Sequence, residues 1–233
     1  MKIIAICGSP HKRVGNTYLM LKRMLDYLDT LGAKTEMINL CELNIKFCQS
    51  CAKCVTKGEC PLDDDIITIQ KKMKEASGII LGSPCYVLSV SAQMKVLFDR
   101  CWPWMHSPCL QGKYGASVCP SAGIGDRETA NYMNFFLRVL GAQTVGEVCG
   151  LASLPGKFLE KDIVWKQLDR LSEELYSAIK EKRRYPRAND CIQFQRGMRD
   201  LILYYKETVF ARDYNFWKSH GWLEQTFDLD ITK

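Results

Sequence analysis

The sequence predicts an α/β protein built on a doubly wound, five-stranded parallel sheet. Its apolar residues concentrate in five short segments, at residues 2–7, 34–40, 78–82, 114–119 and 144–149. Short apolar strands that alternate with helices are typical of parallel sheets covered on both faces. Right-handed crossovers leave few topologies for such strands, and a doubly wound sheet is the one we expect.

Helical spacing separates the predicted strands. In residues 17–29, leucine and methionine recur every three or four positions, which predicts an amphipathic helix after the first strand. The same spacing predicts helices over residues 66–76, 91–100, 128–140 and 162–182. The last of these closes the unit, and we therefore assign residues 1–183 to one domain.

The composition changes beyond residue 183. Residues 189–212 are expected to form one helix, with Met198 and Ile202 on its apolar side, and residues 213–233 are aromatic-rich and irregular. We treat residues 184–233 as a C-terminal helical and aromatic extension. It is too apolar to remain undocked, so it packs on its own subunit or against a partner subunit.

The bulk composition excludes several classes of protein. Apolar residues make up 47% of the 233 residues and charged residues 25%, as in ordinary globular proteins. The net charge of +6 is spread along the chain, and its one dense run, residues 180–187, is best interpreted as a solvated helix end. We expect no nucleic-acid partner.

We expect a cytoplasmic protein without a membrane anchor. The apolar run at the N-terminus stops at Gly8, and no stretch approaches the roughly 18 apolar residues that span a bilayer. In the cytoplasm thiols stay reduced, so twelve cysteines need an explanation other than disulfides. Metal binding and redox chemistry are the leading explanations.

The loop after the first strand, residues 8–17, has the chemistry of a phosphate site, and we call it the phosphate loop. Its small residues let backbone N–H groups and a helix N-terminus approach an anion, and Ser9 and Thr17 add hydroxyl groups. It lacks the ending of a P-loop and the GxGxxG spacing of a Rossmann fold. A tight strand-to-helix turn is the alternative interpretation.

Three loops together resemble those of the flavodoxin-like NADPH-dependent FMN reductase family. The phosphate loop shares the family's Gly-Ser-Pro opening and Gly-Asn-Thr close, although it is one residue longer. Residues 82–89 (GSPCYVLS), here the tyrosine loop, and the helix SAQMKVLFDR after them are similar to the family's Gly-Ser-Pro-x-Tyr loop and Met-Lys-x-x-x-Asp-Arg helix. Residues 120–128, the glycine loop, look like the third family loop.

This resemblance implies a flavodoxin-like fold with FMN bound across the three loops. Pro84, Tyr86 and Val87 would border the isoalloxazine ring, and the glycines would let backbone amides approach its polar rim. Cys85 is either a redox thiol or a small packed residue. The implied FMN-binding residues are Ser9, Pro10, His11, Asn16, Thr17, Pro84, Cys85, Tyr86, Val87, Ser89, Ser121, Ala122, Gly123 and Gly125.

A cysteine-rich insertion, residues 47–62, follows the second strand, and we call it the cysteine loop. Its Cys48-x2-Cys51-x2-Cys54-x5-Cys60-Pro61 run resembles the ferredoxin motif for a [4Fe-4S] cluster. In a flavodoxin-like chain this motif resembles the iron-sulfur flavoprotein family. A structural zinc site, an unligated loop and a dithiol redox site remain as alternatives.

The resemblance implies a flavin-dependent oxidoreductase that passes electrons between a [4Fe-4S] cluster and FMN. It also implies a homodimer or homotetramer, with a redox partner protein or a small-molecule acceptor, and NAD(P)H as a candidate donor. No general acid or base is assigned. Three other functions stay open: a cluster-free NAD(P)H-dependent FMN or quinone reductase, a flavodoxin-like electron carrier, and a redox sensor that signals to a partner. Carriers of the flavodoxin type are usually acidic, unlike this chain.

Overall fold

In the computed structural model, which describes residues 1–225, one six-stranded sheet lies at the centre of the protein. Its order is β2-β1-β3-β4-β5-β6, and the first five strands are parallel. The strands are β1 (Lys2–Cys7), β2 (Lys34–Asn39), β3 (Gly78–Gly82), β4 (Tyr114–Ser121), β5 (Gln143–Leu154) and β6 (Lys157–Phe158). The order 2-1-3-4-5 is that of flavodoxin-like sheets.

The prediction of a purely parallel, five-stranded sheet is wrong at one edge. Strand β5 runs five residues past the predicted end at residue 149, and β6 then pairs with it in the antiparallel sense. The connecting turn contains Gly156, whose φ of +73° suits glycine. An antiparallel neighbour needs only such a hairpin, and a two-residue strand is too short to show a sequence period.

Helices cover both faces of the sheet, and the five long helices predicted within residues 1–183 are confirmed to within two residues at each end. Short 3₁₀ turns occur at Lys12–Val14 and Leu40–Glu42. Within residues 1–225, none of the helices has the length and apolar character needed to cross a membrane. The helices are α1 (Asn16–Thr30), α2 (Lys53–Thr56), α3 (Ile66–Glu75), α4 (Ala92–Arg100), α5 (Pro103–His106), α6 (Asp126–Val139), α7 (Lys161–Glu181), α8 (Asn189–Tyr204) and α9 (Ala211–Ser219).

The sheet divides the main core into two layers. Strand side chains alternate between the faces, so Ile4 and Ile6 pack with α3, α4 and α6, whereas Ile3 and Ala5 pack with α1 and α7. The residues of β1 from Ile3 onward are fully buried. This two-sided burial explains why the strand has an unbroken apolar sequence.

The extension differs from its prediction. The single helix expected over residues 189–212 is interrupted, because α8 ends at Tyr204 and a turn separates it from α9. Residues 213–219, expected to be irregular, are helical as part of α9, and residues 226–233 lie outside the described part of the chain. The turn lets α9 reach back to the domain, where Trp217 Nε1 donates a hydrogen bond to the His106 carbonyl at 2.5 Å.

A buried polar contact anchors α9 as well. Asp213 accepts a hydrogen bond from Ser107 at 2.7 Å, and His106 Nδ1 lies 3.2 Å from its other carboxylate oxygen. Trp217 packs with Ile192 and other apolar residues of α8 in a third, smaller core.

The domain boundary placed at residue 183 stays a prediction.

Candidate functional site

The three predicted ligand loops meet at one edge of the sheet. They follow β1, β3 and β4, which are neighbours, so the carboxyl ends of these strands lie side by side. Gly8 N donates to the Gly82 carbonyl at 2.7 Å, and Cys85 N donates to the Pro120 carbonyl at 3.1 Å. The phosphate, tyrosine and glycine loops therefore form one continuous surface.

The phosphate loop presents donors suited to an anion. Gly15 caps α1 without a side-chain hydrogen bond, so the first N–H groups of the helix have no acceptor within it. Ser9 is buried and accepts a hydrogen bond from the His11 N–H at 3.2 Å, and Thr17 is also buried. Pro10 and His11 are exposed. This geometry fits the predicted phosphate site.

Asn16, which was predicted to bind the cofactor, is held by the β5–β6 turn. Its Nδ2 donates to the Leu154 carbonyl at 3.0 Å, and its Oδ1 accepts from Gly156 N at 2.7 Å. The turn thereby joins the phosphate loop as a fourth segment of the site. No local sequence pattern indicates this contact, because about 140 residues separate its partners and no motif connects them.

The tyrosine loop contains a strained turn. Tyr86 and Ser89 exchange two backbone hydrogen bonds, of 2.8 and 3.1 Å, while Val87 and Leu88 between them have φ of +50° and +61°. Left-handed φ is costly for a branched residue such as Val. Val87 is nevertheless 98% exposed. Pro84, at the base of the loop, is buried. Strain of this kind is typical of functional sites, and the turn presents apolar side chains where a flavin ring is predicted.

The glycine loop packs closely on the tyrosine loop. A Cβ at Gly125, whose φ is +83°, would lie 2.8 Å from Leu88 Cδ2 and 3.0 Å from Cys85 Sγ. Ser121 is buried at the end of β4 and accepts a hydrogen bond from Gly123 N, whereas Ala122 and Gly123 are exposed. Glycine at position 125 is therefore needed both for its backbone angle and for the contact between loops.

Cys85 is half-buried between these loops. Thr129 Oγ1 donates to Cys85 Sγ at 3.4 Å, and the thiol donates to the Ile124 carbonyl at 3.4 Å. Both contacts suit a packed thiol that bridges the two loops. A redox role for Cys85 stays an open alternative.

Hydrogen bonds join the two ends of the cysteine loop, residues 44–46 and 64–65, which we call its neck. Asp65 N donates to the Asn44 carbonyl at 3.0 Å, and Asn44 N donates to Asp65 Oδ2 at 2.8 Å. Lys46 N donates to Asp64 Oδ2 at 2.9 Å. The acidic run before α3 thus binds the start of the loop, besides starting the helix through the contact from Ile66 N to Asp64 Oδ1.

The four cysteines of the loop differ in exposure, since Cys48 and Cys51 are exposed and Cys54 and Cys60 are half-buried. Burial and then the neighbouring thiols of Cys60, Cys48 and Cys51 raise the pKa of the Cys54 thiol. Over residues 1–225, however, no three His, Cys, Asp or Glu side chains lie close enough together to hold a metal ion. All twelve cysteines are free thiols. Four soft donors on one loop fit a cluster or zinc by their chemistry, and their role as ligands stays a prediction.

Arg100 contacts the cysteine loop from the end of α4. Its side chain is 1% exposed and forms an ion pair with Asp64, whose side chain is 0% exposed. Its Nη1 donates to the Lys46 carbonyl at 2.7 Å, and its Nη2 lies 3.4 Å from Cys60 Sγ. Burial would raise the pKa of Asp64, but the Arg100 guanidinium and two backbone N–H groups hold that pKa below its ordinary value.

Helix α9 of the extension reaches the cysteine loop too. Gly58 has a φ of +87°, and a Cβ there would lie 2.7 Å from Arg212 Cζ. The sequence showed why Gly58 lets the chain return, but gave no signal for the contacts of Arg100 or Arg212. Both depend on packing between distant segments.

Comparison with known proteins agrees with this architecture. Residues 1–153 match the NADPH-dependent FMN reductase family. An iron-sulfur flavoprotein from Archaeoglobus fulgidus is 36% identical over 96% of this chain and 100% of its own length. Another from Methanocaldococcus jannaschii is 37% identical over 77% of this chain and 98% of its own.

A solved structure shows the same fold. The NAD(P)H:quinone oxidoreductase from Methanothermobacter marburgensis superposes with a TM-score of 0.60 at 17% identity, over 75% of this chain and 98% of that one.

The doubly wound sheet and its three edge loops define a flavodoxin-like protein of the flavin-binding class. Together with the sequence matches, they identify the chain as a member of the iron-sulfur flavoprotein family, within the NADPH-dependent FMN reductase superfamily. The protein is a flavin-dependent oxidoreductase, and the family description supports FMN as its flavin.

Proposed function

We propose that this protein transfers electrons between FMN, bound at the carboxyl edge of the sheet, and a [4Fe-4S] cluster held by the cysteine loop. The observation that carries the proposal is the position of Cys48, Cys51, Cys54 and Cys60, with ferredoxin-like spacing, on one loop whose two ends are joined by hydrogen bonds. When bound, the flavin exchanges one or two electrons and the cluster exchanges one, so together they connect two-electron and one-electron partners.

The chain's own part in this function is positioning. The N-terminus of α1, with Ser9 and Thr17, would hold the FMN phosphate, while the strained tyrosine loop and the glycine loop would enclose the ring. Asn16 would act by tying the β5–β6 turn to the phosphate loop rather than by contacting the flavin directly. No side chain is assigned as a general acid or base.

We place the protein in the cytoplasm, where reducing conditions keep the cysteines available as ligands. Its electron partner would be a redox protein or a small-molecule acceptor, with NAD(P)H as a candidate donor, and the assembly would be a homodimer or homotetramer. Exposed apolar side chains beside the flavin edge, including Val87, Leu88 and Ile124, support such an interface.

A second candidate is a cluster-free NAD(P)H-dependent FMN or quinone reductase. It is supported by the match of residues 1–153 to the NADPH-dependent FMN reductase family. In that case the cysteine loop is a structural element or a zinc site, and the flavin edge alone carries the activity.

Metal and flavin analysis separates the two functions. The protein is purified anaerobically, and iron, acid-labile sulfide, zinc and FMN are measured per chain in one sample. About four irons and four sulfides with one FMN support the proposal. One FMN with zinc, or without metal, contradicts it and leads to an NAD(P)H oxidation assay.

A cysteine variant then tests the ligand assignment. Cys60→Ser should lose iron and sulfide but keep FMN, because only the cysteine loop is altered. Cys109→Ser is the matched control, since Cys109 is also a partly buried free thiol but lies outside the loop. Equal loss of iron in both variants would contradict the assignment.

A further inference from the structure

We propose that Arg100 is a positioning residue of the cluster site, which fixes Cys60 on the side of the cysteine loop that faces α4 and donates a hydrogen bond to its sulfur. This inference rests on the proposed four-cysteine ligand set. It concerns a residue on α4, outside the cysteine loop and 40 positions from Cys60.

The contacts of the guanidinium support this role. Nη1 bridges Asp64 Oδ2 and the Lys46 carbonyl, while Nη2 lies 3.1 Å from Asp64 Oδ1 and 3.4 Å from Cys60 Sγ. The planar fork therefore contacts the chain on both sides of the cysteine loop at once. A lysine ammonium, as a point charge, cannot reproduce this arrangement.

The position of Cys60 explains why such a residue is needed. Cys48, Cys51 and Cys54 are separated by two residues each, a spacing that local turns can bring to one corner of a cluster, whereas five residues separate Cys54 from Cys60. The returning segment contains Gly58, which is conformationally permissive. A fixed donor beside Cys60 Sγ restrains this last thiol to the side of the loop that faces α4.

Asp64 orients the guanidinium and balances its charge. The pair is buried, and the opposite charges of Arg100 and Asp64 leave no net charge in the interior. The positive guanidinium is the side of the pair that faces Cys60. Hydrogen bonds to ligand sulfurs are among the factors that set the reduction potential of iron-sulfur clusters. Donation from Arg100 is therefore expected to raise that potential.

Helix α4 also connects this contact to the flavin edge. At its start, Ser91 Oγ donates to the Gly8 carbonyl at 2.5 Å, and Ser91 N donates to Ser83 Oγ at 2.8 Å. At its end, Arg100 holds the cysteine loop. The helix has nine residues and is about 14 Å long, so one rigid element spaces the two sites within a subunit.

Arg100→Lys is the principal test. It keeps the positive charge and the pairing with Asp64 but removes the planar guanidinium, whose two nitrogens contact both ends of the loop. The double variant Arg100→Gln with Asp64→Asn guards against misfolding, since it leaves no unpaired buried charge. Lys95→Gln is the control, since Lys95 lies on the same helix and pairs with Asp99 at the surface. One FMN per chain reports that each variant is folded.

Two readouts are measured in the anaerobic holoprotein. The midpoint potential of the cluster should shift downward in Arg100→Lys and in the double variant. Iron loss to a chelator should be faster, by roughly 10-fold to 100-fold if it follows the usual cost of losing a residue that supports a metal ligand. Values equal to those of the parent protein would overturn the inference.

A third readout works without a cluster. Hydrogen exchange of residues 46–62 in the metal-free protein should be faster in Arg100→Lys than in Lys95→Gln. Unchanged exchange overturns the positioning role whatever the metal content. If the parent protein holds no cluster but exchange is faster in Arg100→Lys, the proposed function fails while the positioning of Cys60 stands.

Discussion

Arg100 and Asp64 form an ion pair that solvent does not reach, with side chains 1% and 0% exposed. The pair joins the end of α4 to the neck of the cysteine loop, where Asp64 also accepts the Lys46 N–H. The two residues thereby attach a polar, cysteine-rich insertion to the rigid part of the fold.

Removing one partner of this buried ion pair should lower the stability of the protein. Asp64→Ala is expected to lower the free energy of unfolding by about 3–5 kcal/mol, because it leaves the Arg100 guanidinium buried without its carboxylate. Asp99→Ala, which breaks the exposed pair with Lys95, should cost less than about 1 kcal/mol. Urea unfolding of both variants measures the difference, and equal losses would contradict the buried role.

The Asp64 carboxylate should make the free energy of unfolding depend on pH in the acidic range. The pKa of Asp64 lies below its unfolded value, which is about 3.9, so its contribution to stability is complete above roughly pH 4. It should be lost as the pH falls through the lower folded pKa. Urea unfolding from pH 6 to pH 2 measures this, and Asp64→Asn should show a shallower decline. An unchanged slope in that variant would refute the assignment.

The contact between the tyrosine and glycine loops can be tested by two glycine variants. Gly125→Ala should destabilise the protein and weaken FMN binding, because the new Cβ meets Leu88 and Cys85 at a positive φ. In Gly123→Ala the new Cβ has no atom within 4 Å, so the free energy of unfolding of this variant should match that of the parent protein. Thermal unfolding and flavin fluorescence titration measure both properties.

The two variants also separate structural effects from direct contact with the flavin. Weaker FMN binding by Gly123→Ala at unchanged stability would support an approach of the flavin to its backbone. A stable Gly125→Ala protein that binds FMN like the parent would show that the two loops need not pack as described.

The contact between α9 and the cysteine loop has a matched control. Gly58→Ala and Gly32→Ala share nearly the same φ, +87° and +86°, but only Gly58 lies against Arg212. Both variants should lose about 1 kcal/mol through backbone strain. Gly58→Ala should in addition reduce iron uptake. If the two variants unfold at the same urea concentration and load the same iron, the contact has no consequence.

The packing of α9 against the domain should depend on the Asp213 carboxylate. Asp213→Ala removes the acceptor of Ser107 and the partner of His106 in a buried site, which should cost roughly 1–3 kcal/mol. The linker near Pro186 should then be cleaved faster by protease. Asp200→Ala, at an exposed position on α8, is the control. Equal cleavage rates would mean that other contacts hold α9.

Local sequence signals predicted most of the elements and the three loops that meet at the carboxyl edge of the sheet. Apolar strands, helical spacing and glycine-rich turns depend on neighbouring residues, so residues 1–183 were predicted closely. The exceptions include the four-residue helices α2 and α5, the two-residue β6, and the break between α8 and α9. The three short elements are too short to show a sequence period, and the break accompanies the contacts of Trp217 and Asp213 with His106.

By itself, the sequence determined the doubly wound core, the positions of the ligand loops and the spacing of the four cysteines. Only the tertiary structure decided which residues support them: Arg100 beside Cys60, Asn16 in the β5–β6 turn and Arg212 against Gly58. The physical reason is separation along the chain. Such contacts form only when packing of the core brings distant segments together, and no local period or motif records them.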